Sequence, residues 1–145
     1  MTILIDADAC PVKELAVREA KKRDVPVVML CDTSHELHSD YAQIIVVDKG
    51  RDSADIRLAN MVKKGDIVIT QDYGVAALVL GKGGYALGNS GTEYTNDNIE
   101  AMLYTRYNAQ KERKQGRYTH NLKRQKTDDE AFLKAYLSIF KRCEI

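Results

Sequence analysis

The chain has 145 residues, 44% of them hydrophobic and 30% charged, with a formal net charge of +1, which supplies apolar material for one core and one domain of ordinary size. The longest apolar runs, such as Ile67 to Thr70 and Gly74 to Leu80, are far too short to span a bilayer, and the N-terminus lacks a basic stretch followed by a long apolar one, so neither a membrane span nor a secretory leader is expected. Three cysteines at unrelated spacings, Cys10, Cys31 and Cys143, fit reduced thiols in a cytoplasmic protein rather than a disulfide framework.

Ile3, Leu4 and Ile5 form an apolar run halted at Asp6, as a buried strand is where its end meets solvent. Pro11 suits a first helical turn, and Val12, Leu15, Ala16 and Glu19 to Lys22 continue at helical spacing up to Asp24 and Pro26. Val27 to Cys31 reads as a second strand, Asp32 to Asp40 as a polar loop, and Ile44 to Val47 as a third strand. A second helix is expected to open in Asp52, Ser53, Ala54 and Asp55, to continue through Ile56, Leu58, Ala59 and Val62, and to end at Gly65. Ile67 to Thr70 is a fourth strand closed by Gln71 and Asp72, Val75 to Leu80 a third helix, and Tyr85 to Leu87 a short fifth strand after a glycine-rich turn. Beyond it the sequence predicts a fourth helix over Asn96 to Lys114, a mobile loop from Gly116 to Lys126, and a last helix from about Asp128 to Arg142 that buries Phe132, Tyr136, Ile139 and Phe140 on one face.

Strand and helix alternating this regularly predict a single α/β domain over 1–145, built as three α/β/α layers around a parallel sheet, because parallel neighbours need crossover connections and right-handed crossovers place helices on both faces. Ligands collect in such sheets just past the carboxyl ends of the strands, where the strand order reverses. Five acids fall at that edge: Asp6 ends strand one, Asp8 follows it, Asp52 and Asp55 open helix two, and Asp72 ends strand four. With strands one and four as neighbours, in a 3-2-1-4-5 order, Asp6 and Asp72 come close enough to share a ligand. Crowded carboxylates raise one another's pKa unless a cation neutralises them, and oxygen-only ligands suit Mg²⁺ or Mn²⁺. Each acid also has an ordinary structural reading: Asp52 as a helix cap, Asp55 as a favourable charge in a first turn, Asp72 as the cap of helix three, Asp8 as the cap of helix one. Asp6, placed directly after a buried strand, is the one these readings explain least.

The segments I-D-A-D-A-C-P-V-K (Ile5 to Lys13), G-R-D-S-A-D (Gly50 to Asp55) and K-G-D-I-V-I-T-Q-D-Y-G (Lys64 to Gly74) resemble the YaiI/YqxD family of uncharacterised bacterial proteins, and the match spans nearly the whole chain. That family is similar to the PIN-like nucleases, so the resemblance implies a 3-2-1-4-5 sheet and a metal-dependent acidic site. Carried over by position, Asp6, Asp55 and Asp72 match the family's acids after the first strand, near the start of the central helix and after the fourth strand, with Asp8 and Asp52 as further metal ligands.

The charge is unevenly spread. Residues 1–105 hold 11 Lys+Arg against 16 Asp+Glu, whereas residues 106–126 hold 8 Lys+Arg and only Glu112 as acid. Arg106, Lys111, Arg113, Lys114, Arg117, Lys123, Arg124 and Lys126, interleaved with Tyr104, Tyr107 and Tyr118, suit an RNA backbone with its bases stacked on the rings; a solvated charged face is the plain alternative. Cys31, His35 and His38 have zinc-like spacing but lack a fourth ligand, and Cys10 reads as a packed thiol whose pKa the nearby acids raise. The expected function is that of a Mg²⁺- or Mn²⁺-dependent ribonuclease-like phosphodiester hydrolase acting through Asp6, Asp55 and Asp72. The rivals are a haloacid-dehalogenase-type phosphatase with Asp6 as nucleophile, and a non-catalytic RNA-binding module with a structural metal.

Overall fold

Ile3, Leu4 and Ile5 are buried on both faces because the strand they form lies inside the sheet, with a hydrogen-bonded neighbour on each side. The structure is a computed structural model that describes residues 1–8, 10–32, 37–47, 54–104 and 124–143. Its elements in chain order are β1 (Ile3–Asp6), α1 (Lys13–Lys22), β2 (Val27–Asp32), β3 (Gln43–Val47), α2 (Ala54–Met61), β4 (Ile67–Ile69), α3 (Tyr73–Gly81), β5 (Tyr85–Leu87) and β6 (Glu93–Tyr94). A helical stretch over 99–104, α4, and the long α5 (Lys126–Arg142) complete them.

The six strands lie in the order β3-β2-β1-β4-β5-β6. β1 pairs in parallel with β2 (Ile3 opposite Val27) and with β4 (Ile3 opposite Ile67), β2 with β3, and β4 with β5. The expected order is therefore present, and a strand the periodicity does not reveal extends it. β6 runs antiparallel to β5, with Ala86 opposite Tyr94. A tight reversal through Gly88 to Gly91 returns the chain beside the strand it has just left, which only an antiparallel pairing permits. Two residues are too few to show alternation.

Successive residues of each strand point to opposite faces, and the core divides accordingly. Ile3, Ile5, Met29 and Ile69 pack with α1 and α5, including Ala16, Ala20, Phe132, Tyr136, Ile139 and Phe140. Leu4, Leu30, Val68 and Ala86 pack with α2, α3 and α4 on the other side, through Leu58, Val79 and Ile99. The structure is thus a three-layer α/β/α sandwich, and all four apolar residues expected on the last helix are buried. On the α1 side, Tyr136 stacks on Phe132 at 5.3 Å, meets Phe140 edge-on at 4.7 Å, and donates its hydroxyl to the Ala16 carbonyl at 2.9 Å.

Several boundaries differ from the sequence reading, each for a local reason. α1 starts at Lys13 with Val12 before it and no side-chain cap, so Asp8 does not cap this helix. α2 ends at Met61 rather than Gly65, because the buried Asp66 accepts the Lys63 N–H through Oδ2 and the Thr2 N–H through Oδ1, both at 2.9 Å, holding residues 63–66 in a turn that Gly65 completes at φ +88°. Asp72 does cap α3, accepting the Val75 N–H at 3.1 Å. α5 begins at Lys126, two residues early, since Asp128 accepts the Gln125 N–H at 2.8 Å; Lys126 therefore belongs to a helix and not to the expected loop. Most of helix four beyond 104 and the expected loop up to residue 123 lie outside the described residues. Among the described residues no helix is long and apolar enough to cross a membrane.

Phe132→Ala should lower stability by about 3–5 kcal/mol, as removal of a fully buried aromatic ring does. Tyr136→Phe should cost about 1–2 kcal/mol by leaving the Ala16 carbonyl without its donor. Urea unfolding followed by far-UV circular dichroism measures both, and equal losses for the two variants would contradict this packing.

Candidate acidic functional site

The strand order places Asp6 at the point where the crossovers change sides. β1 and β2 are joined over one face by α1, whereas α2 and α3 serve β4 and β5 over the other, so the carboxyl ends of β1 and β4 splay into a crevice. Asp6 ends β1 and is partly buried. Beside it Thr70, buried just past β4, donates its hydroxyl to Asp6 Oδ2 at 3.4 Å and accepts the Asp72 N–H at 3.1 Å. One hydroxyl thus ties the first strand's acid to the fourth strand's.

The remaining acids fall around this pair. Asp8 accepts the Asp32 N–H at 3.2 and 3.4 Å through its two oxygens, which ties the residue after β1 to the end of β2. Asp55 lies in the first turn of α2, with Oδ1 accepting the Ile56 N–H at 3.0 Å. The Asp6 carboxyl is pushed up to about 6 by burial first, then by the charges of Asp8 and Asp55, with a smaller push from Asp72; the Thr70 hydroxyl opposes them. Asp8, Asp55 and Asp72, expected from the sequence to share one edge with Asp6, are close enough to act on its charge. Asp52 lies outside the described residues.

A recess of about 30 Å³ opens at this edge between Asp6, Asp8, Cys10, Thr70, Gln71 and Asn89, room for one water-sized occupant. Its donors are mainly carboxylate, hydroxyl and amide oxygens, the chemistry that hard divalent ions prefer. Among the described residues, no three carboxylate, imidazole or thiol groups meet closely enough to hold a metal ion by themselves, so an ion seated here would keep part of its water shell, as Mg²⁺ does readily. Cys10 is buried in the wall, and its thiol pKa is raised chiefly by that burial, with Asp6 adding to it.

Three residues of this region escape sequence reasoning. Thr70 is read there as the last residue of a strand. Gln71 accepts the Asn89 N–H at 2.7 Å, and Asn89 belongs to the β5–β6 reversal, which has no signal in the periodicity. Asn89 also brings in a cation: its carbonyl accepts Arg124 Nη2 at 2.8 Å, while Asp129 binds the same guanidinium at 2.6 and 3.0 Å. Gly91 makes the approach possible, since at φ +91° a side-chain carbon there would sit 2.6 Å from the Ala131 carbonyl carbon. Arg124, expected to contact nucleic acid, therefore stands at the rim of the recess; Lys126 is exposed at the start of α5. Arg106, Lys111, Arg113, Lys114, Arg117 and Lys123 lie outside the described residues. The zinc-like trio does not form a site among the described residues: Cys31 is buried on the α1 face, His38 is exposed, and His35 lies outside.

A family model described as "Uncharacterized BCR, YaiI/YqxD family" matches residues 4–142. Similar full-length relatives include a "UPF0178 protein" of Ruminiclostridium cellulolyticum, 54% identical over 97% of this chain and 93% of the relative. Another from Alkaliphilus oremlandii is 52% identical over 94% and 91%, and one from Clostridium acetobutylicum is 45% identical over the whole of both chains. No solved structure matches. With three-layer topology, the acidic edge and this coverage together, the chain belongs to the YaiI/YqxD family.

Proposed function

We propose that this protein is a Mg²⁺- or Mn²⁺-dependent ribonuclease-like phosphodiester hydrolase with Asp6 at its centre. The observation that carries the reading is the state of Asp6, a carboxyl held partly out of water, crowded by three further acids, and joined by the Thr70 hydroxyl to the backbone of Asp72. Such an arrangement costs stability in the bare protein and repays it only with a cation present. Asp6, Asp55 and Asp72, with Asp8 beside them, would hold the ion, which supplies positive charge to neutralise them and to polarise a phosphoryl oxygen. The resemblance to PIN-like nucleases points the same way.

The chain's own groups supply the rest. A carboxylate with a pKa near 6 in the bare protein is still mostly ionised at neutral pH, which leaves Asp6 ready to take up the ion. Thr70 fixes which oxygen of Asp6 faces the recess. Arg124 brings a guanidinium to the rim, where an RNA phosphate needs a counter-charge against the surrounding acids.

Purified protein incubated with RNA and Mn²⁺ should cleave it, and Asp6→Asn or Asp72→Asn should reduce the rate by about 10²-fold or more; asparagine still caps α3 and so spares the fold. Equal cleavage by all three proteins would overturn the proposal, hydrolysis of a small phosphomonoester through a trapped acyl-phosphate would select the phosphatase, and tight RNA binding without turnover under any metal would select the binding module.

A stability measurement checks the site without activity. The folded pKa of Asp6, about 6, lies above the ordinary value of 3.8, so the native state binds the proton more tightly. The resulting penalty is absent below about pH 4, grows as pH rises toward 6, and is constant above. The full shift corresponds to about 3 kcal/mol, reduced to about 1–2 by partial exposure to solvent. In chelator, Asp6→Asn should therefore be more stable than wild type by about 1–2 kcal/mol at pH 7.5 and equal to it at pH 4. Millimolar Mn²⁺ should raise the Tm of wild type and leave that of the variant unchanged.

A further inference from the structure

A second cavity, larger than the acidic recess, does not share a lining residue with it. It has a volume of about 680 Å³ and lies between the outer face of α1 and residues 37–40, within the range of small-molecule pockets. Its floor is Val17, Met29 and Leu37; Met29 is a buried β2 side chain, and the other two pack against the same core. Lys13, Val17 and Lys21 recur at four-residue intervals and so form one stripe along α1, distinct from Ala16, Glu19 and Ala20, which the helix buries.

The rim carries four basic groups, Lys13, Arg18, Lys21 and His38, against two acids, Glu14 and Asp40. Two of the cations have neighbours, Lys21 with Asp40 at 3.8 Å and Arg18 with Glu19 at 3.3 Å. Each pair has at least one exposed member, and ion pairs of that kind are weak enough for a phosphate to displace. An apolar floor gives an inorganic anion nothing to pack against, while a cationic rim disfavours a neutral apolar molecule. The ligand that satisfies both has a flat, largely apolar body and an anionic group.

The position of the cavity narrows the class. Lys13 opens α1 on the side of the acidic edge, and its Nζ donates to the Cys10 carbonyl at 3.2 Å. Cys10 is a wall of the recess beside Asp6. One lysine thus lines the cavity with its stem and touches the recess wall with its ammonium. We infer that the cavity beside α1 binds one nucleotide unit, with its base on Val17, Met29 and Leu37 and its phosphate toward Lys13 and Arg18, as the subsite next to the phosphate presented at the acidic edge. This rests on the hydrolase reading for its purpose, and on the cavity alone for the binding.

The test uses the full chain with its four methionines labelled by ¹³C at the methyl, in chelator so that no hydrolysis intervenes. AMP should shift the Met29 methyl signal and leave Met61 and Met102, which belong to the opposite face, unmoved. Adenosine should bind about tenfold more weakly or less, the loss expected of a charge-assisted phosphate contact. Lys13→Ala and Arg18→Ala should each weaken AMP several-fold; both residues are at least partly solvent-exposed, so the fold should persist, and Asp6→Asn should bind AMP as wild type does. An RNA hexamer that shifts Met29 as AMP does marks a strand as the source of the nucleotide, whereas a response to AMP alone marks the free nucleotide. The inference is overturned if Met29 ignores millimolar AMP, if adenosine binds as well as AMP, or if decanoate moves the signal when AMP does not. RNA cleavage without AMP binding would remove the subsite and leave the hydrolase; AMP binding without cleavage would do the reverse.

Discussion

A buried strand that ends in a carboxylate forces the question of how that charge is tolerated. Asp6 follows three of the most deeply buried residues in the protein, Ile3, Leu4 and Ile5, and the strands on either side of β1 hold it at the bottom of the crevice they leave. Among the described residues a threonine hydroxyl donates to it, and the charges that act on it are of its own sign. Desolvation and repulsion both favour the protonated form. The rest of the site is arranged about that one unfavourable position: Thr70 sets the orientation, Asp8 ties the β1 end to the β2 end, and the β5–β6 reversal brings Asn89 and Arg124 across the opening.

Other acids show what a structural carboxylate looks like in this fold. Asp66 is buried at the opposite, amino end of the sheet, yet each of its oxygens accepts a backbone N–H, from Thr2 and from Lys63. Glu19 is buried within α1, and its pKa is lowered, chiefly by its hydrogen bond with Lys22, with Arg18 and Arg23 adding to the effect. Both are stabilised by groups that favour the charge. Asp6 is less deeply buried than either, yet what surrounds it carries its own sign, which is the physical ground for reading it as a functional group.

α1 performs two tasks with its two faces. The inner stripe of Ala16 and Ala20 allows close approach of Tyr136 and its hydrogen bond to the Ala16 carbonyl, fixing α5 and with it Asp129, which holds Arg124. The outer stripe lines the cavity, and Lys13 at the head of the helix meets the wall of the acidic recess. A helix start at the carboxyl edge of a parallel sheet makes such a junction natural, since the chain passes directly from the strand end into the helix.

Much of this was legible before the fold. The α/β alternation, five of six strands and the four buried residues of α5 follow from apolar periodicity and from polar residues that halt it, because those signals are local and repeated, whereas bringing Asp6, Asp55 and Asp72 to one edge also needed the strand order that the family resemblance implies. Asp72 as the α3 cap was equally readable, the cap being three residues from the N–H it receives. The tertiary structure alone decided the rest. β6 is two residues long and owes its place to a turn; Thr70 joins Asp6 across 64 residues of sequence, and Arg124 reaches Asn89 across 35. Asp8 binds the end of β2 rather than the helix that follows it, and the cavity exists because residues 37–40 return beside α1. Side-chain periodicity encodes which face a residue shows; only the packed chain determines what that face meets.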